Sequence, residues 1–160
     1  MKASHLWKSG ALRAMAPIAL VAGSLMGVHG SAAALTTEHG SNCKPYGNSA
    51  TSGLYSYISG AYNYSGGSMG VACPVVRTAA APSTGYSVWV DGSASTGTTS
   101  CTMYSYNYTG AYLGSISFSA TGVFDRLLTL PASQVPTYSS QVVYCYVPAN
   151  GSLYDVEPVQ

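Results

Sequence analysis

The chain has 160 residues, of which 7% are charged and 11% aromatic, with a formal net charge of +1. That length holds one ordinary domain. The near-neutral balance excludes a basic footprint for nucleic acid or anionic lipid, and the apolar content excludes a disordered chain.

The first segment has the pattern of an export signal. Lys2, Lys8 and Arg13 make a basic leader without an acid, Ala14–Val28 is apolar, and Ser31-Ala32-Ala33-Ala34 offers small residues for cleavage. A run of about 15 apolar residues is too short for a bilayer-spanning helix, which needs about 20. Residues 1–34 are therefore expected to be a secretory signal peptide, cut after Ala33 or Ala34. Residues 35–160 are expected to form a single all-β domain. No twin-arginine pair and no Cys just after the apolar run point to another export route. The leader has a bacterial character, and the expected location is secreted, periplasmic or at the cell surface, with no membrane span after cleavage. Without the leader, Lys44, Arg77 and Arg126 face Glu38, Asp91, Asp125, Asp155 and Glu157, a net charge of about −2.

Cys43, Cys73, Cys101 and Cys145 all follow the leader. An even cysteine count in an exported chain reads as two disulfides, and four cysteines allow three pairings. The strand pattern favours Cys43–Cys73 and Cys101–Cys145. With wide spacings and His39 as the sole histidine after the leader, a zinc site has little support. No cofactor is expected.

Past the leader the chain is rich in Tyr, Thr and Val, which favour strands, and in Gly, Ser and Asn, which supply turns. An irregular entry runs to about Ser52, and Leu54–Tyr64 has strand composition without clean alternation. Met69–Val76 alternates, with Met69, Val71, Cys73 and Val75 on one face. Tyr86–Asp91 places Tyr86, Val88 and Val90 together. Ser100–Tyr108 sets Cys101 and Met103 against Tyr104, Tyr106 and Tyr108. Tyr112–Ala120 turns Ile116 and Phe118 inward, and Leu127–Leu130 stops at Pro131. Gln141–Val147 sets Val143, Cys145 and Val147 against Tyr144 and Tyr146, and Leu153–Val156 closes the chain. Loops are expected at Arg77–Gly85, Gly92–Thr99 and Pro131–Ser140. About eight short strands separated by turns predict an antiparallel β-sandwich.

Tyr62-Asn63-Tyr64-Ser65-Gly66 and Tyr106-Asn107-Tyr108-Thr109-Gly110 echo one another as hairpin turns. Asn63, Asn107 and Asn150 each head an N-x-S/T sequon, which in a eukaryotic secreted protein is a glycan acceptor and in a bacterial one, as the leader suggests, reads as a turn asparagine.

Catalytic signals are sparse. Gly66-Gly67-Ser68-Met69-Gly70 matches a G-x-S-x-G elbow, but that motif needs a helix after the Ser and a base in reach. A strand pattern follows instead, and no His occurs after Ser68. Asp91, Asp125, Asp155 and Glu157 are the carboxylates available for a glycosidase pair, and Asp155 and Glu157 share a strand face. With no free thiol and one His, acid–base chemistry has few players.

The tyrosines, 14 in all, stand out. A Cys101–Cys145 bond sorts Tyr104, Tyr106, Tyr108, Tyr144 and Tyr146 onto the face away from the sulfurs. Exposed tyrosines combine a large apolar area with a polar tip and few torsions to order. Such a surface fits binding to a glycan, the cell envelope or another protein. Packing between subunits of an extracellular fibre or surface layer is the alternative, and a small hydrolase is a third.

Overall fold

The computed structural model describes residues 38–47, 53–77 and 84–159. The expected signal peptide lies outside these residues, as does most of the Arg77–Gly85 loop. The chain forms β1 (Glu38–His39), β2 (Lys44–Pro45), β3 (Leu54–Tyr57), β4 (Gly60–Asn63), β5 (Met69–Val75), β6 (Tyr86–Tyr106), β7 (Tyr112–Leu130), β8 (Ser140–Val147) and β9 (Gly151–Val159). Among the described residues the only helical pieces are the 3-10 turns Gly40–Asn42 and Ala132–Gln134.

The strands make an antiparallel β-sandwich built on β6. β7 pairs along one edge of β6. On the other edge, β9 pairs with Ser87–Ala94 and β8 with Ser100–Tyr106. One layer therefore runs β3-β4-β9-β6-β7, with β1 beside β9, and the other runs β2-β5-β8-β6-β7. The β6–β7 hairpin belongs to both.

Two expected boundaries are absent. The Ser/Gly/Thr-rich segment Gly92–Thr99 is not a loop but the bend of β6, and Tyr112–Ala120 and Leu127–Leu130 are two parts of β7. The ladder slips between Ala94 and Thr99, where Gly97 (φ +77°) and, on β7, Gly122 (φ +68°) take left-handed backbone. Such a bulge lets a strand turn from one layer into the next without ending. Ser95 and Thr96 donate hydroxyl hydrogen bonds to the carbonyls of Asn150 and Ala149, which fastens the bend to the β8–β9 turn.

Alternation decides what lies between the layers. Met69, Val71 and Cys73 of β5, Val88 and Val90 of β6, Val143, Cys145 and Val147 of β8, and Leu153 and Val156 of β9 are all buried in one core. Each large aliphatic side chain there contributes roughly 1.5–3 kcal/mol through burial. Both disulfides lie within this core: Cys43 is bonded to Cys73 and Cys101 to Cys145, with Cα separations of 4.1 and 4.0 Å. Cys101 and Cys145 face each other directly in the β6–β8 ladder, where Cα atoms come closest, and Cys43 stands one residue before the Lys44–Ala72 pair that opens the β2–β5 ladder.

The two echoing turns share a mechanism. The Asn63 side-chain oxygen accepts from the backbone N–H and hydroxyl of Ser65, and that of Asn107 accepts from the same groups of Thr109. An N-x-S/T triplet is here an Asx-turn, in which the side chain replaces a backbone acceptor. Asn63 is fully buried, and its amide nitrogen also donates to the carbonyls of Gly67, Val147 and Pro148.

Candidate ligand-binding cleft

On the outer face of the layer containing β8, residues of opposite parity to the cysteines align in rows. Ala72, Tyr144, Thr102 and Ser117 form one row across β5, β8, β6 and β7. Pro74, Val142, Tyr104 and Ser115 form the next, and Gly70, Tyr146, Ser100 and Ser119 flank them on the other side. The small Ala72 sits between larger neighbours, so the surface dips. Tyr46, Tyr104, Tyr106, Tyr144, Ala72 and Val142 line a cleft of about 480 Å³.

The walls are tyrosine rings in edge and stacked contact. Tyr46 meets Tyr144 edge-on at 5.4 Å between centroids, and Tyr104 and Tyr106 lie near-parallel at 6.4 Å. These geometries are the favoured ones for aromatic pairs. Tyr106 continues edge-on to Tyr112 at 6.1 Å. Burial, followed by the neighbouring phenols of Tyr146, Tyr104 and Tyr46, pushes the Tyr144 hydroxyl above its ordinary value, so it stays a neutral donor and acceptor. No lining residue carries a formal charge.

Of the five tyrosines expected to share a surface, Tyr104, Tyr106 and Tyr144 line the cleft. Tyr146 stands on the same face one row away, 49% exposed. Tyr108 does not join them: β6 ends at Tyr106, and Tyr108 projects from the Asn107 turn, 83% exposed. Tyr46 was not among the expected residues. It follows β2, and its N–H bonds the carbonyl of Gly70. A two-residue strand secured by the adjacent Cys43–Cys73 bond thus holds one wall of the cleft.

A second tyrosine cluster covers the other layer. Leu54–Tyr64, expected as a single stretch, is the β3–β4 hairpin. Tyr55 and Tyr57 on β3 face Tyr62 and Tyr64, with centroid distances of 5.4–6.4 Å, and Tyr62 reaches Tyr154 at 6.3 Å. The i, i+2 spacing of these tyrosines on either side of Ile58-Ser59 was the available signal.

The carboxylates also lie on that second layer. Asp125, Asp91 and Asp155 face one another across β7, β6 and β9, and Glu157 stands in the next row opposite Trp89. Asp91 is pushed up to about 6, first by burial, then by hydrogen bonding to Asp125 and by the charges of Asp125, Asp155 and Glu157. Its Oδ1 is buried without a hydrogen-bond partner. Among the described residues no three His, Cys, Asp or Glu side chains are arranged to hold a metal ion. Ser68 of the G-x-S-x-G match lies in the exposed turn before β5, and a strand, not a helix, follows it. The ring of His39 is engaged with Ser41.

No protein-family model and no curated protein matches this chain. Among solved structures it is similar to TmCBM61, named as determined in complex with β-1,4-galactotriose. The TM-score is 0.42 and the identity 15%, over 62% of this chain and 69% of that one. It is also similar to the enzymatically active domain of tailspike protein 4 of bacteriophage CBA120, with TM-score 0.40 and 14% identity, over 63% of this chain and 14% of that one. Likeness at this level assigns no ligand.

Proposed function

We propose that this protein is an exported, non-catalytic glycan-binding module whose ligand enters the cleft between Tyr46, Tyr104, Tyr106 and Tyr144. The observation that carries the reading is the cleft itself: four tyrosines around a small-residue floor, open to solvent and uncharged. Phenol faces stack on the C–H faces of sugar rings, while the hydroxyl tips exchange hydrogen bonds with sugar hydroxyls. Two buried disulfides support export to an oxidising compartment. The experiment is a glycan array with the mature protein, followed by affinity electrophoresis of Tyr104→Ala and Tyr144→Ala. Retention by a polysaccharide that each substitution weakens several-fold, without unfolding, is the expected result. Retention that neither substitution changes removes the cleft from the function.

A second reading is assembly into a fibre or surface layer. It is favoured by β7, which has β6 as its sole strand partner among the described residues and so leaves a 19-residue edge open. Gel filtration at high concentration separates the readings, because a stable monomer counts against assembly.

A further inference from the structure

The cleft does not end at its tyrosine walls. Thr102 stands directly between Tyr144 on β8 and Ser117 on β7, and Ser100 stands between Tyr146 and Ser119. The hydroxyls of Thr102 and Ser117 are 2.8 Å apart, as are those of Ser100 and Ser119. Ser115, opposite Tyr104, bonds the Tyr112 hydroxyl at 2.8 Å. A ladder of paired hydroxyls therefore begins where the rings stop and continues to the free edge of β7.

The ladder is regular because β6 and β7 pair without a register shift from Thr99 to Ser105. Neighbouring strands are about 4.8 Å apart, and residues on one face repeat at roughly 6.8 Å along a strand. A hydroxyl has one donor and two acceptor positions, so a bonded pair uses one donor and leaves most of its capacity facing outward. The four serines are exposed. This surface offers many weak, neutral hydrogen bonds and no apolar platform. Lys44, opposite Ala72, is the single formal charge on this face among the described residues, whereas Asp91, Asp125, Asp155 and Glu157 occupy the other layer.

We infer that the ligand is an extended neutral chain, with one sugar in the tyrosine cleft and the following sugars lying over the hydroxyl ladder of β6 and β7. This rests on the glycan reading and adds a second subsite to it. A cleft alone selects a single sugar unit. A cleft continuous with a polar track selects a polymer, because each further unit gains hydrogen bonds to a surface already held in register by the sheet.

The test uses graded neutral oligosaccharides of galactose, glucose, mannose and xylose, from monosaccharide to hexasaccharide, titrated calorimetrically against the mature protein. The hexasaccharide of the preferred sugar is expected to bind roughly tenfold tighter than its monosaccharide. In T102V/S117A, where both partners of one pair become apolar, the ratio of hexasaccharide to monosaccharide affinity falls toward one. S100A/S119A gives an independent reading of the same ratio should the first variant fold poorly. Equal affinities for short and long chains in the unaltered protein, or a ratio unchanged in both variants, overturn the ladder subsite and leave cleft binding standing. Failure of every sugar to bind overturns the glycan reading, and the subsite with it.

Discussion

Cys101 and Cys145 lie directly opposite each other on β6 and β8, bonded, with their Cα atoms 4.0 Å apart. This one pairing points both sulfurs into the core, and by strand alternation it sends Tyr104, Tyr106, Tyr144 and Tyr146 to the opposite face. The cleft and the disulfide are thus two sides of the same register.

Replacing Cys101 and Cys145 together with Ala is expected to destabilise the fold by about 3–4 kcal/mol, given the 44-residue separation of the bridge. Denaturant titration of the oxidised protein against this variant measures it. The midpoint falls while the dependence on Cys43–Cys73 remains.

The Cys43–Cys73 bond has a different consequence. Removing it by a double Ala substitution leaves β2 with two paired residues and the Tyr46-to-Gly70 hydrogen bond. Tyr46 then leaves Tyr144, the near-ultraviolet circular dichroism of the tyrosines changes, and affinity for the array-identified glycan drops several-fold. An unchanged affinity in a folded variant removes Tyr46 from the binding site.

Asp91 makes stability depend on pH. Its folded-state value is raised from an ordinary 3.8 to about 6, so the folded chain holds a proton that the unfolded chain releases. The contribution is fully present below the ordinary carboxylate value and is lost as pH rises through about 6. Melting temperature should therefore be higher at pH 5 than at pH 8. Asp91→Asn should flatten that slope and stabilise the protein at pH 8, by on the order of 1 kcal/mol after allowance for solvent screening. A melting temperature that rises from pH 5 to pH 8 contradicts this account.

The two Asx-turns differ in cost. Asn63→Ala strips hydrogen bonds from three carbonyls and from Ser65 inside the protein, and should destabilise by roughly 2–4 kcal/mol. Asn107→Ala acts at an exposed turn, where water replaces the lost acceptor, and should cost about 1 kcal/mol. Thermal melts of the two variants side by side check the difference.

What could be read from the sequence was whatever alternation encodes. Met69, Val71, Cys73 and Val75, like Val143, Cys145 and Val147, occupy every second position of strands with one buried face, so the core and the outward tyrosines followed directly. The continuation of β6 through Gly92–Thr99 did not follow. Those small polar residues have turn composition, and they stay extended because β7 and β9 pair with the approaches to the bend. Tyr46 was hidden for a related reason: its position comes from Cys43 and from pairing with β5, not from its neighbours. The carboxylate row is likewise a product of register, since Asp91, Asp125 and Asp155 are distant in sequence and meet through two separate ladders.

The hairpin shared by both layers gives the Asn107 turn an influence beyond its size. β6 and β7 are joined there, and β8 and β9, which follow in the chain, pair with the one edge of β6 that remains. A slip of one residue at that turn would invert β7 along its whole length, exchanging Phe124 and Leu128 for Asp125 and Thr129 between the layers. A slip between β6 and β8 would carry Cys101 away from Cys145 and leave two thiols unjoined. The Cys101–Cys145 bond therefore belongs to one alignment of that layer, the alignment that places the tyrosines outside.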